Sequence, residues 1–307
     1  MLTSFFGKSK PVNFIMVSIY MIIGYFFWSL YFLDNTNSIP FFQKQTLLLL
    51  IGLFTIFLLN FIVKKNSLTE NNTYSIFFLA SFMVLMPEFF FNTEIIISNL
   101  FLLFAFRRIL SMSSEKNMEK KVLDASIWIS IASLFYFWCI LFFVVLFIAI
   151  FQSRLKNYKL IFIPFVGFIA VLILITTVKL LFNGSVLWFL DTDTNLSLAF
   201  QAYNSTSLII TILFFSILLI WTLIHKIINF SEIRLKDKAN FVLLVVIVLI
   251  SIIIILFIPN KKGAEFLYLM FPLAIFTTNI IEKLSLFWVK ESLLWVALLL
   301  PILVVFL

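Results

Sequence analysis

The chain has 307 residues, 63% of them hydrophobic and only 12% charged, with a mean hydropathy of +1.16. A soluble domain is about 45–50% apolar and about 25% charged, so no water-facing core can bury this excess, and a bilayer must act as solvent for much of the chain. A soluble enzyme, a disordered tail and a disulfide scaffold are excluded, the last because Cys139 is the only cysteine. The net charge of +8 fits lysines held in cytoplasmic loops of a polytopic membrane protein. Nucleic-acid binding is not expected, because no basic run is long enough to follow a phosphate backbone. Phenylalanine occurs 42 times, and such stretches read at first as lipid-facing filler.

A spanning helix needs about 20 apolar residues. Residues 12–33 meet this and reach no small-residue cleavage site, so they predict a retained first helix and not a signal peptide. Residues 46–63 predict a second helix, closed by Lys64 and Lys65. Residues 74–91 and 93–106 predict a third and fourth, both short, joined near Pro87 and Glu88. The stretch 122–151 has no charge after Asp124 and is too long for one crossing of a hydrocarbon core about 30 Å thick. Basic residues flank it on both sides, so it must cross and return as two short paired helices with a bend near 134–138. Residues 160–181, 206–223, 241–258, 266–281 and 293–307 complete the series.

The expected fold is an all-α polytopic bundle of about eleven crossings, amino terminus inside and carboxyl terminus outside. It forms a single integral membrane domain over 1–307, in the cytoplasmic (inner) membrane of a bacterium. Its longest outer loop is 182–207. Basic residues support this threading. Only Lys44, Lys261 and Lys262 fall in outer loops, and Lys179 lies inside a helix; the other basic residues face the cytoplasm. There is no Gly-rich phosphate loop among the six glycines, so ATP hydrolysis is not expected.

Chemistry must come from few residues. His225 is the sole histidine, so no haem and no histidine-ligated metal is expected. On the outer side, Asp34 follows the first helix and is the candidate catalytic base. Asp191 and Asp193 have the spacing of a weak Mg²⁺ or Mn²⁺ site, or are solvated loop charges. Lys179 either snorkels to the interface or meets a phosphate or carboxylate. Lys261, Lys262 and Glu265 form a candidate substrate-binding set, because two lysines on an otherwise basic-poor face suit an anionic head group or a lipid pyrophosphate. The competing view of that set is a short solvated loop.

Two resemblances rest on particular segments. Through the segments 99–108 (NLFLLFAFRR) and 123–136 (LDASIWISIASLFY), the chain resembles an uncharacterised family of bacterial polytopic inner-membrane proteins. In layout it is loosely similar to glycosyltransferases that use polyprenyl-linked sugars and to surface-polysaccharide polymerases, through Asp34 and the run from Glu265 to Pro272. That likeness implies glycosyl or related group transfer at the outer face, with membrane lipids and a lipid-linked glycan as partners. It departs in its short first outer loop and in lacking outer arginines. The alternatives are a transporter or flippase, and a non-catalytic membrane subunit of an envelope complex.

Overall fold

The computed structural model describes residues 1–32, 39–153, 157–183, 195–228 and 235–305. Among these residues the protein is all-helical, with helices α1 Leu2–Phe6, α2 Pro11–Phe32, α3 Ile39–Asn66, α4 Tyr74–Leu85, α5 Glu88–Phe91, α6 Thr93–Leu110 and α7 Met118–Phe135. The series continues with α8 Phe143–Gln152, α9 Lys159–Asn183, α10 Thr206–Ile228, α11 Leu235–Phe257, α12 Leu267–Lys283 and α13 Phe287–Val305.

Eight of these, α2, α3, α6 and α9 to α13, are long and apolar enough to cross a membrane. The sequence led us to expect about eleven. The three remaining expected crossings fall on α4, α7 and the stretch Phe137–Gln152. Helix α4 has only 12 residues, about 18 Å of helix. Helix α7 carries Glu119, Lys120, Lys121 and Asp124 in its first half. Phe137–Phe142 is a 3-10 turn, so only 10 residues of α8 follow as regular α-helix.

The chain divides into two compact units. Unit 1 comprises Met1–Ile96, Phe200–Ile233 and Lys261–Leu307. Its centre is the antiparallel pair α4 and α12. Every residue of α4 is buried, and 94% of the window over Ala264–Lys283 is buried. An apolar helix without a polar face needs neighbours on all sides. Here α2, α3, α10, α12 and α13 pack against α4 or α12. The phenylalanines of this region are therefore not lipid-facing filler: Phe77, Phe78 and Phe82 are buried inside protein.

Helix α4 stops because Pro87 offers no N–H and Met86 before it is driven to an extended conformation (φ −126°, ψ 83°). One carbonyl freed in this last turn, that of Val84, accepts a hydrogen bond from Trp28 Nε1 at 2.9 Å. At the opposite end of α4, Asn72 Nδ2 donates to Glu282 on the last turn of α12, and the Glu70 N–H adds a bond of 2.9 Å. Helix α1 is clasped at that end too. Glu291 of α13 accepts from the Leu2 N–H at 2.7 Å, the Thr3 N–H at 3.1 Å and Thr3 Oγ1 at 2.7 Å, which satisfies the first amides of α1.

Unit 2 comprises Ile97–Ala199 and Arg234–Asn260. The 122–151 stretch is broken at Tyr136, where the backbone turns extended (φ −143°, ψ 103°). Both arms return to one end of the unit: Lys121 Nζ donates to Ser114 Oγ at 2.7 Å, and Gln152 and Ser153 line the same cavity as Ser113 and Ser114. Helix α7 buries Val122, Ala125, Ser126, Ile129 and Ser130, a stripe at helical spacing. Trp128 stacks on Phe101 of α6 at 5.7 Å, and Arg108 pairs with Asp124 at 2.7 Å. That ion pair is half-exposed and contributes at most about 1 kcal/mol.

Small residues let α7 and α9 approach closely, as membrane helices must when no water drives them together. A Cβ on Gly167 would lie 1.9 Å from Ser126 Oγ and 3.0 Å from Ser126 Cβ. We therefore expect Gly167→Ala to cost about 1–3 kcal/mol by overpacking, read as a lower thermal midpoint in detergent. Adding Ser126→Gly should restore most of the loss; an unchanged midpoint in the single variant would show that the helices part freely.

A candidate site of paired glutamates

The break between α11 and α12 carries the sequence-predicted set. Gly263 sits at φ +88°, a conformation that a side chain rarely adopts, and it opens a 3-10 turn over Ala264–Phe266. That turn folds Glu265 back on its own loop, where Oε1 accepts the Lys262 N–H at 2.7 Å. Glu265 is fully buried. Its other oxygen, Oε2, is enclosed and has no hydrogen-bond partner among the described residues.

The structure brings Glu88 to this turn. Glu88 begins α5, just past the end of α4, and its Cγ and Cδ lie 3.5 and 3.6 Å from where a Gly263 Cβ would stand. The Oε2 atom of Glu88 is likewise enclosed and unpartnered. Tyr203 adds a third such atom, its Oη. Its ring meets Phe266 edge-on at 5.8 Å. Lys261 is buried, with Nζ 5.0 Å from the centre of the Phe200 ring, while Lys262 is exposed. An enclosed polar atom without a partner costs about 1–3 kcal/mol. Three in one neighbourhood mark a place where a proton or a ligand is held.

The electrostatics follow from this enclosure. Glu88 lies outside the eight spanning helices. Burial pushes its carboxyl up to about 7, and the neighbouring Glu265 carboxylate pushes in the same direction. Burial also raises the Tyr203 phenol, with Glu265 adding to the effect. Burial lowers the Lys261 ammonium, while Glu265 opposes that shift. A carboxyl that titrates near 7 exchanges its proton at neutral pH, as a general acid or base requires.

The sequence-predicted residues fare unevenly. Lys261, Lys262 and Glu265 share one loop, and Glu265 joins Glu88. Lys179 is a half-exposed residue of α9 in unit 2, with no hydrogen bond or ion pair to a described residue. Asp34, Asp191 and Asp193 lie outside the described residues. Among the described residues, no group of three or more His, Cys, Asp or Glu side chains could hold a metal ion. Sequence reasoning placed Glu88 on the outer side without joining it to Glu265, and it passed over Tyr203. The one available signal was that 88, 203 and 265 all lie where predicted helices join on the side assigned to the outer face.

Fold and site together define a polytopic helical membrane protein with a buried glutamate pair at one end of its central helices. The chain belongs to a family of unknown function, DUF6427, whose sequence profile matches residues 8–307. No curated protein and no solved structure matches it.

The raised Glu88 carboxyl has a consequence for stability. The folded state holds this proton more tightly than the unfolded chain, so its contribution is present in full below about 4.5 and is lost as pH rises through about 7. The thermal midpoint should therefore fall between those values, and Glu88→Gln should flatten the profile. An identical profile in the variant would remove Glu88 as its source.

Proposed function

We propose that this protein is a multi-pass protein of the bacterial cytoplasmic membrane, with the amino terminus inside, that transfers a glycosyl or related group from a lipid-linked donor at the outer face. The observation that carries this is the convergence of Glu88 and Glu265 beside Lys261 and Lys262. Three features support the outer assignment: few basic residues in the predicted outer loops, the shared side of 88, 203 and 265, and the opposite end held by Glu282 and Glu291.

In this reading the acceptor hydroxyl gives its proton to the Glu88 carboxylate as its oxygen attacks the donor carbon. The bond from that carbon to the phosphate oxygen breaks, and the phosphate leaves on its lipid. Lys261 and Lys262 offset the growing negative charge, and Glu265 orients the acceptor. Glu88 joins Asp34, the base read from the sequence, as a candidate for this role, and Asp191 and Asp193 stand as residues that bind a metal or orient the acceptor.

A second reading is a proton-coupled transporter, favoured by the same near-neutral Glu88 carboxyl. The two separate in one experiment. Glu88→Gln in the native host should lower the affected envelope glycan by about 10²-fold or more, as loss of a general base does. Vesicles holding the wild-type protein should show no proton-driven solute uptake. Unchanged glycans would sink group transfer, and uptake abolished by Glu88→Gln would establish the transporter.

A further inference from the structure

Unit 2 contains a second polar feature, which does not depend on the glutamate pair. Where α6 and α8 end and α11 begins, a cavity of about 560 Å³ has Met112, Glu115, Ala149, Gln152, Asn240 and Leu243 in its lining. That volume is within the range of about 300–1,000 Å³ typical of small-molecule sites. Asn240 is only 3% exposed, yet its Oδ1 accepts no hydrogen bond among the described residues. A carboxamide buried in the second turn of a helix with its oxygen unpartnered is costly, and leucine would fill the same space without that cost. We propose that this cavity binds an uncharged, hydroxyl-rich ligand: a sugar or polyol, free or as the head group of a glycolipid.

The lining selects this chemistry. The unpaired Asn240 oxygen asks for an O–H or N–H donor. Gln152 and Asn240 offer carboxamides that both give and accept, which suits neighbouring hydroxyls on one ring. Met112, Ala149 and Leu243 provide an apolar wall for C–H faces. An anion would meet Glu115 with no cation in the lining among the described residues, and the nearby Lys121 ammonium is already bonded to Ser111 O and Ser114 Oγ. An aliphatic ligand would leave Asn240 unpaired.

The test uses the full chain in lipid nanodiscs, with thermal unfolding and calorimetry as readouts. One arm adds glucose, maltose or myo-inositol to plain discs; the other dopes the discs with monoglucosyl diacylglycerol. Phosphate and choline serve as charged controls. We expect a rise in thermal midpoint in one sugar arm, which identifies the free or lipid-borne source. Asn240→Leu should weaken that binding about tenfold while raising the midpoint of the ligand-free protein. Gln152→Leu, on the exposed end of α8, should weaken binding with the ligand-free midpoint unchanged. The proposal is overturned if neither sugar arm shifts the midpoint, if phosphate or choline shifts it as much, or if both variants bind like the wild type. A lower ligand-free midpoint in Asn240→Leu would likewise overturn it, by making Asn240 a structural residue.

Discussion

Within hydrocarbon every backbone N–H and C=O must find a partner inside the protein, because no water stands ready to replace one. A continuous helix meets this demand by itself, whereas any interruption has to be covered by something else. The three interruptions that matter here are covered in identifiable ways. Trp28 takes a carbonyl freed where α4 ends at Pro87. The Tyr136 N–H still reaches Ala132 O, and the 3-10 turn that follows returns the chain. At Gly263 the carboxylate of Glu265 takes the Lys262 amide. Polar side chains thus accumulate where helices break, and the glutamate pair sits where two breaks meet.

This distribution explains how much the sequence disclosed. Long apolar helices announce themselves by length, and α2, α3 and α9 to α13 all lie close to the segments read from hydropathy. The bend in 122–151 followed from length and charge together, since the stretch is too long for one crossing and basic residues on both flanks demanded a return. The loop of Lys261, Lys262 and Glu265 stood out because it broke a charge rule. What could not be read was any property that depends on which helix neighbours which. Helices α4 and α9 are both apolar, yet α4 is wholly enclosed while only 17% of the α9 window is buried. Phenylalanine serves both situations equally well, so composition does not separate them. Glu88 and Glu265 meet only because α4 and α12 run antiparallel at the centre of unit 1, and no local pattern encodes that.

The two units hold their polar residues differently. In unit 1 the enclosed carboxylates gather at one end of the central helices, and carboxylates at the other end are consumed as caps: Glu291 closes α1 and Glu282 ties Asn72 to α12. In unit 2 the buried polar residues are uncharged: Ser126, Ser130 and Ser251 bond back to their own helices, whereas Asn99 and Asn240 each keep an oxygen that accepts no hydrogen bond among the described residues. Serine bonding to a carbonyl one turn earlier is an inexpensive way to place a hydroxyl in an apolar setting. It also keeps the surface of α7 small enough for α9 to approach.

The make-up of unit 1 from three separate stretches of chain also sets a clock on its birth. The contact between Leu2 and Glu291 spans 289 positions, so the amino-terminal helix cannot be clasped until the last helix has been made. Glu88 emerges 177 positions before Glu265. At about 5–20 residues per second, that leaves roughly 10–35 s in which its carboxyl waits without its partner. All of unit 2 up to Ala199 is synthesised in the interval. The raised carboxyl of Glu88 is thus a late property of the chain, reached only when the surrounding helices close over it and Glu265 arrives beside it.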